Sequence, residues 1–305
     1  MSKPVESTED FAAASIKARI ITAADWAASG RRLTKKAVWR GLALKLLKEH
    51  ERDDALPTYG RFLYYEVVQR DIISKHRQGA RRSDQDLIEA LTDLREAEVV
   101  PWDWILDETR SLEDYSGSLS IKQAMLDYLP HARLDLWKGR IVLVLTESRA
   151  MKGVLDDIAW RYRVRITSTG GQCAGFLHTK IVPLLKKATK PPQVLYLGDW
   201  DLAGNQIEAN NRRVLEREVG ELDWERIALT KEQVEGANPY GKPLPKIIKY
   251  DWRYSDGHPH EAVECEALSQ KFIMELVEKE LEARLPEPLK SVLAREKRQR
   301  RVIRL

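Results

Sequence analysis

Cysteine is nearly missing from this 305-residue chain: Cys173 and Cys265 are the only two. Two isolated thiols make neither a disulfide framework nor a zinc site. Long apolar runs are missing as well. None approaches the length needed to cross a bilayer, and the opening MSKPVESTEDF holds no apolar stretch of the signal-peptide kind. The sequence therefore predicts an intracellular, cytoplasmic chain with no membrane partner. No Gly-x-x-x-x-Gly-Lys-Ser/Thr loop occurs, and no segment reads as an ATPase module. Neither sign of charge dominates, since acids nearly balance bases and the net charge is +4.

Hydrophobic residues make up 43% and charged residues 32%, a balance that suits a globular protein of two ordinary domains or one large one. Bases crowd the end of the chain, where Lys290, Arg295, Lys297, Arg298, Arg300, Arg301 and Arg304 face one acid, Glu296. Such a tail could track a phosphate backbone, but a solvated, frayed terminus is the favoured reading of it.

Residues 1–50 read as a helical extension, with Val38, Leu42, Leu44, Leu46 and Leu47 in an amphipathic pattern. After Pro57, Phe62, Tyr65, Val68 and Ile72 fall at helical spacing. A second helix carries Leu87, Leu91 and Leu94, with Ser83 as its expected N-cap. VVPWDWILDETR then reads as a strand or wing. Two helices and a wing over residues 51–115 give the outline of a winged helix-turn-helix, a module that usually binds DNA. The polar stretch Asp107–Ser120 predicts a domain boundary. Beyond it, residues 121–305 alternate strand and helix. IVLVLTES, VRITSTGG and QVLYLGDWD are apolar strands joined by helices, as in a parallel, Rossmann-like sheet. The expected class is thus α/β, with a helical and winged-helix part followed by a parallel-sheet domain.

The acids fall where function in such sheets resides, at the strand ends. Glu147 ends one strand, and Asp199 and Asp201 end another. Three carboxylates on one edge repel unless a cation neutralises them, and oxygen-only ligands suit Mg²⁺, with Mn²⁺ as an alternative. Gly198 and Gly204 bracket the Asp pair and allow a tight turn close to a phosphate. The plainer alternative is that each acid caps the helix that follows it.

A strand ending in Glu followed by a strand ending in Asp-x-Asp resembles the TOPRIM signature of topoisomerases, primases and related nucleases. The fuller wording is similar to the A subunit of topoisomerase VI, a type IIB enzyme, and its meiotic double-strand-break relatives. It is closest to their short stand-alone forms in bacteria and mobile elements. PTYGRFLYYEVV resembles that family's Arg-x-x-Tyr-Tyr motif, LREAEVVPWDWILDETR its helix and wing, and VECEALSQKFIMELVEKEL its acidic C-terminal motif. The resemblance implies that Tyr65 is the nucleophile, with Tyr64 as a fallback, assisted by Arg61 and Glu147. Metal would be held by Glu147, Asp199 and Asp201, and DNA by Arg61, Arg95, Arg110 and Lys152. It further implies double-stranded DNA as partner, a nucleoid-associated homodimer cutting both strands through 5′-phosphotyrosyl links, and a separate ATPase subunit for any strand passage. One departure is Ser148, which follows Glu147 where the family often has lysine, with Arg149 and Lys152 beyond it.

Chemically, a phenol with a pKa near ~10 needs a nearby cation to become a nucleophile, and Arg61 lies one helical turn before Tyr65. Aromatic residues on an apolar stripe are otherwise core. Two other readings stay open: a hydrolytic TOPRIM nuclease that does not use the tyrosine, and a non-catalytic DNA-binding scaffold. Glu264 and Glu266 either add an acid near the metal or simply alternate along a strand. His258 and His260 are assigned nothing, Gly170 and Gly171 form a turn or approach phosphate, and Lys246, Lys249 and Arg253 form a basic rim or a solvated loop.

Overall fold

The computed structural model describes residues 35–70, 84–106, 120–171, 173–250 and 257–303. Residues 1–34, Ile72, Ser83, Arg110, Arg253 and most of the expected boundary segment lie outside the described residues. Along the chain come α1 (Lys35–Arg52), α2 (Gly60–Gln69), α3 (Gln85–Glu96), α4 (Ile121–Tyr128) and β1 (Val142–Thr146). There follow α5 (Arg149–Val154), α6 (Asp156–Tyr162) and β2 (Arg165–Ser168). A helix with a π turn, α7, runs through Ala174–Phe176, Leu177–Ile181 and Val182–Leu185. Then come β3 (Gln193–Leu197), α8 (Leu202–Val219), β4 (Asp223–Ala228), α9 (Lys231–Glu235), β5 (Ile247–Tyr250) and β6 (Pro259–Ala262), with α10 (Gln270–Arg284) and α11 (Leu289–Ile303) last.

The chain is mixed α/β with a four-stranded parallel sheet, and it divides into two compact units. One holds Met1–Glu108, Gly198–Gln206 and Ala228–Ile273; the other holds Thr109–Leu197, Ile207–Ile227 and Met274–Leu305. No helix among the described residues is long and apolar enough to cross a membrane.

In the second unit the sheet has strand order β2-β1-β3-β4. β1 and β3 are buried at every position, as expected of apolar runs covered on both faces. They pair in parallel with Thr146 opposite Leu197, and the Glu147 amide donates to the Leu197 carbonyl at 2.9 Å. Leu143, Leu145, Val194 and Tyr196 pack against Leu177, Ile181 and Leu185 of α7 and Leu215 of α8. The basic end of the chain is α11, not a frayed tail. Val292 and Glu296 are its buried positions, and the Glu296 carboxylate accepts the Leu134 amide at 2.6 Å while pairing with Arg163 at 2.6 Å.

In the first unit, α1 and α3 are tied by Asp93, which meets Lys36 and Arg40 at 2.9 Å each. α2 is buried on nearly all sides, including Phe62, Leu63, Tyr64, Tyr65, Val67 and Val68, so it is a core helix. Both of its ends are pinned by amide side chains. Before it, Gln270 donates to the carbonyls of Ala55 and Pro57 at 2.8 and 2.9 Å and accepts the Thr58 hydroxyl. At its end, Gln69 donates to the Ala267 carbonyl at 3.0 Å. Thr58 also pairs in parallel with Ile105, the one strand-like contact described in the region read as a wing.

Another α2 contact makes stability depend on pH. His50 meets the Glu66 carboxylate at 2.6 Å and the Ala55 carbonyl at 3.3 Å. Burial opposes its charge, but the Glu66 bond and charge, the Ala55 carbonyl and Glu49 outweigh that and raise its pKa above 6.5. A raised folded-state pKa contributes stability that is complete below the unfolded value and lost as pH rises through the folded one. Urea midpoints are therefore expected to fall as pH climbs above about 6.5. His50→Gln is expected to flatten that slope, and an unchanged slope in the variant would assign it to other groups.

Candidate functional site: a carboxylate cluster facing Arg61 and Tyr65

The Asp pair sits in a turn fixed from three sides within the first unit. Gly198 donates to the Ala228 carbonyl at 2.8 Å, and Trp200 exchanges backbone bonds with Val263 at 2.8 and 3.0 Å. Those bonds draw the DWD turn against the VECEA segment. Asp199 then accepts the Cys265 amide at 2.9 Å. Asp201 divides its two oxygens: Oδ1 accepts the Gly204 amide at 2.6 Å, capping α8, and Oδ2 takes the Lys249 ammonium at 2.6 Å. The capping role foreseen as the plainer alternative is thus real for Asp201, and it occupies only half of the carboxylate.

Gly204 is required by this turn. A Cβ built there would meet the Asp199 carbonyl oxygen at 2.5 Å and Asp201 Oδ1 at 3.2 Å. The first obstacle is backbone and has no rotamer to yield. Gly204→Ala is expected to cost about 1–3 kcal/mol in denaturant unfolding and to weaken cation binding at the Asp pair. Gly175→Ala, where nothing lies within 4 Å of the added carbon, is expected to be neutral or mildly stabilising.

Facing the turn are the side chains of α2 and the residues after β6. VECEAL was expected to alternate along a strand; instead Cys265–Ala267 is a 3₁₀ turn whose Glu266 is 1% exposed. Arg61 pairs with Glu264 at 2.9 Å and with Glu266 at 3.1 Å. The Tyr65 hydroxyl donates to the same Glu264 carboxylate. Glu264 is therefore the group that links Arg61 to Tyr65, a role the helical spacing of those two residues could not reveal. Tyr64 lies edge-on to Tyr65, with ring centres 5.4 Å apart.

The charges act on one another. Burial, then Glu266, then Asp201 push the Asp199 carboxyl up to about 6, against the Cys265 amide and Lys249, which favour its ionised form. Burial disfavours the Arg61 charge, but Glu266, Glu264 and Asp199 more than restore it, so its pKa is raised above the ordinary arginine value. Acids in excess, all oxygen donors, and one carboxyl lifted by its neighbours suit a hard divalent cation. Among the described residues no group of three His, Cys, Asp or Glu side chains is gathered to hold a metal ion. The acids are held by Arg61, Lys249 and backbone amides instead.

The remaining candidates fall elsewhere. Glu147 belongs to the second unit, at the end of β1, whereas Asp199 and Asp201 belong to the first. Ser148, where lysine was expected, caps α5 by accepting the Met151 amide. Lys152 pairs with Asp156 at 2.9 Å, and Arg95 lies over the Trp102 ring at 4.9 Å. Arg110 is outside the described residues. His258 is exposed. Lys249, left among rim residues by the sequence, reaches the site through the inward face of the β5–β6 hairpin. Compared with known protein families, with curated proteins and with solved structures, the chain shows no match.

Proposed function

We propose that the chain is a metal-dependent DNA-cleaving protein, similar to the topoisomerase VI A subunit, in which Tyr65 attacks the phosphodiester. One observation carries this reading: α2 delivers Arg61 and Tyr65 to the acids beside Asp199 and Asp201. Glu264, hydrogen-bonded to the phenol, takes its proton. The Tyr65 oxygen forms a bond to phosphorus, the P–O3′ bond breaks, and the departing 3′ oxygen gains a proton to become a hydroxyl. The strand is left with a 5′-phosphotyrosyl link that can be resealed. Arg61 keeps its charge beside the reacting phosphate. Asp199 and Asp201, with Glu147 as the third proposed ligand, would hold Mg²⁺ or Mn²⁺, which supplies positive charge to the phosphate and to the leaving oxygen. The winged-helix and TOPRIM identities, a homodimer cutting both strands of double-stranded DNA, a separate ATPase subunit and a cytoplasmic, nucleoid-associated setting belong to the same proposal.

A second reading has its own observation. Tyr65 is 1% exposed, which favours a hydrolytic nuclease in which water, not the phenol, attacks. Incubating the purified chain with supercoiled plasmid and Mg²⁺, then adding detergent and protease, separates the two. Protein bound to 5′ ends supports the transesterase, and free ends support hydrolysis. Intact plasmid across a range of metals, with DNA binding preserved, would overturn both in favour of a scaffold.

A further inference from the structure

β5 and β6 form an antiparallel hairpin in which Lys249 stands directly opposite His260. Directly paired residues project from the same face, with Cβ atoms about 4.5–5.5 Å apart. Ile247, Lys249, His260 and Ala262 are the more buried positions, while Ile248, Tyr250, Pro259 and Glu261 are exposed. A lysine on the inward face of a hairpin needs an anionic partner, and Lys249 has one in Asp201 Oδ2 at 2.6 Å, a side chain only 3% exposed. Its neighbour has none: both ring nitrogens of His260 are buried and without a hydrogen-bond partner among the described residues. A neutral imidazole offers one acceptor nitrogen, and an ammonium offers three donors. The hairpin thus sets an ammonium between an occupied carboxylate and a vacant acceptor.

We infer that Lys249 is a positioning residue of the carboxylate site, balancing the charge of Asp201 until a divalent cation is taken up and then turning to His260. The inference rests on the metal reading above. Lys249 and a divalent cation compete for the same oxygen, since Oδ1 stays committed to capping α8. Uptake of the cation therefore carries the cost of breaking this ion pair. Once displaced, the ammonium remains beside the cluster, held by His260, where its charge faces the bound phosphate. The neighbouring Lys246, paired with Glu261 at 2.6 Å on the exposed side of the hairpin, has no such role and serves as a control for net charge.

The test is Mn²⁺ binding by the full-length chain without DNA, read from the electron paramagnetic resonance signal of free Mn²⁺. Lys249→Met is expected to bind about 10-fold more tightly than the natural chain, a difference of ~1.4 kcal/mol, and Lys246→Met to bind as the natural chain does. Lys249→Gln repeats the measurement should the methionine variant fold poorly. His260→Phe is expected to weaken binding several-fold when Lys249 is present and to have no effect on Lys249→Met, the coupling a double-mutant cycle isolates. Equal affinity of the natural chain and Lys249→Met, with binding lost in Asp201→Asn, would overturn the inference and leave the metal reading standing. Absence of binding in the natural chain and in both Lys249 variants would overturn the two together. Tightening equally large in Lys246→Met would reduce the effect to bulk charge and also overturn it.

Discussion

Tyr65→Phe is expected to remove every protein-linked DNA end, a loss of about 10³-fold or more in covalent product, while the chain stays folded. The substitution keeps the ring, and the ring is what packs: Tyr65 is 1% exposed within a helix buried on nearly all sides. Only the hydroxyl is lost, and with it one bond to Glu264. Glu264 retains Arg61 at 2.9 Å, so its carboxylate does not become an uncompensated charge. The cost in stability is accordingly about 1–2 kcal/mol, small enough for binding and cleavage to be compared on folded protein. Mn²⁺ affinity should be unchanged, because Asp199 and Asp201 are held by the Cys265 amide, the Gly204 amide and Lys249, not by the tyrosine. Cleavage that persists in Tyr65→Phe with free ends would transfer the chemistry to water. Persistence with protein still attached would transfer it to Tyr64, which is 8% exposed, and Tyr64→Phe would then abolish it.

What could be read from the sequence follows from how local each signal is. β1 and β3 were legible because burial on both faces demands continuous apolar runs. The α8 start was legible because Gly204 and the Asp pair advertise a turn and a cap. The partners of the acids were not. Arg61 lies 203 positions from Glu264, and Asp199 lies 66 from Cys265, and no periodicity connects such distances. Lys249 was hidden because its charge breaks the inward apolar pattern of β5, which reads as a loop until Asp201 is seen beneath it. Trp102 and Trp160 illustrate the opposite error. Scattered tryptophans suggest core, yet these two are 59% and 65% exposed, each beneath a guanidinium, Arg95 and Arg133. α11 was misread for a related reason: only Val292 and Glu296 are buried along it, so the apolar stripe that reveals a helix is almost missing.

That same Glu296 yields the largest expected change in stability, about 3–5 kcal/mol lost in Glu296→Ala. In sequence it is the lone acid of a basic run. In the second unit it is 4% exposed and serves three partners. It accepts the Leu134 amide at 2.6 Å, pairs with Arg163 at 2.6 Å and meets Arg300 at 3.3 Å. Arg163 is itself constrained, closing α6 in the left-handed region at φ 55° and donating to the Leu134 carbonyl. Removing the carboxylate would leave Leu134 without its acceptor and two guanidiniums facing each other, one of them only 13% exposed. Breaking one side of a buried pair costs far more than the pair contributes, because the remaining charge stays desolvated. Glu296→Gln separates the components, since it keeps an acceptor for Leu134 and removes the charge; it should fall between the natural chain and Glu296→Ala. Glu287 is the control, paired with Arg295 of the same helix at 2.9 Å but more open to solvent, and its removal should fall within the scatter of surface substitutions. If urea unfolding shows Glu296→Ala no weaker than Glu287→Ala, the basic end of the chain is not anchored through this carboxylate.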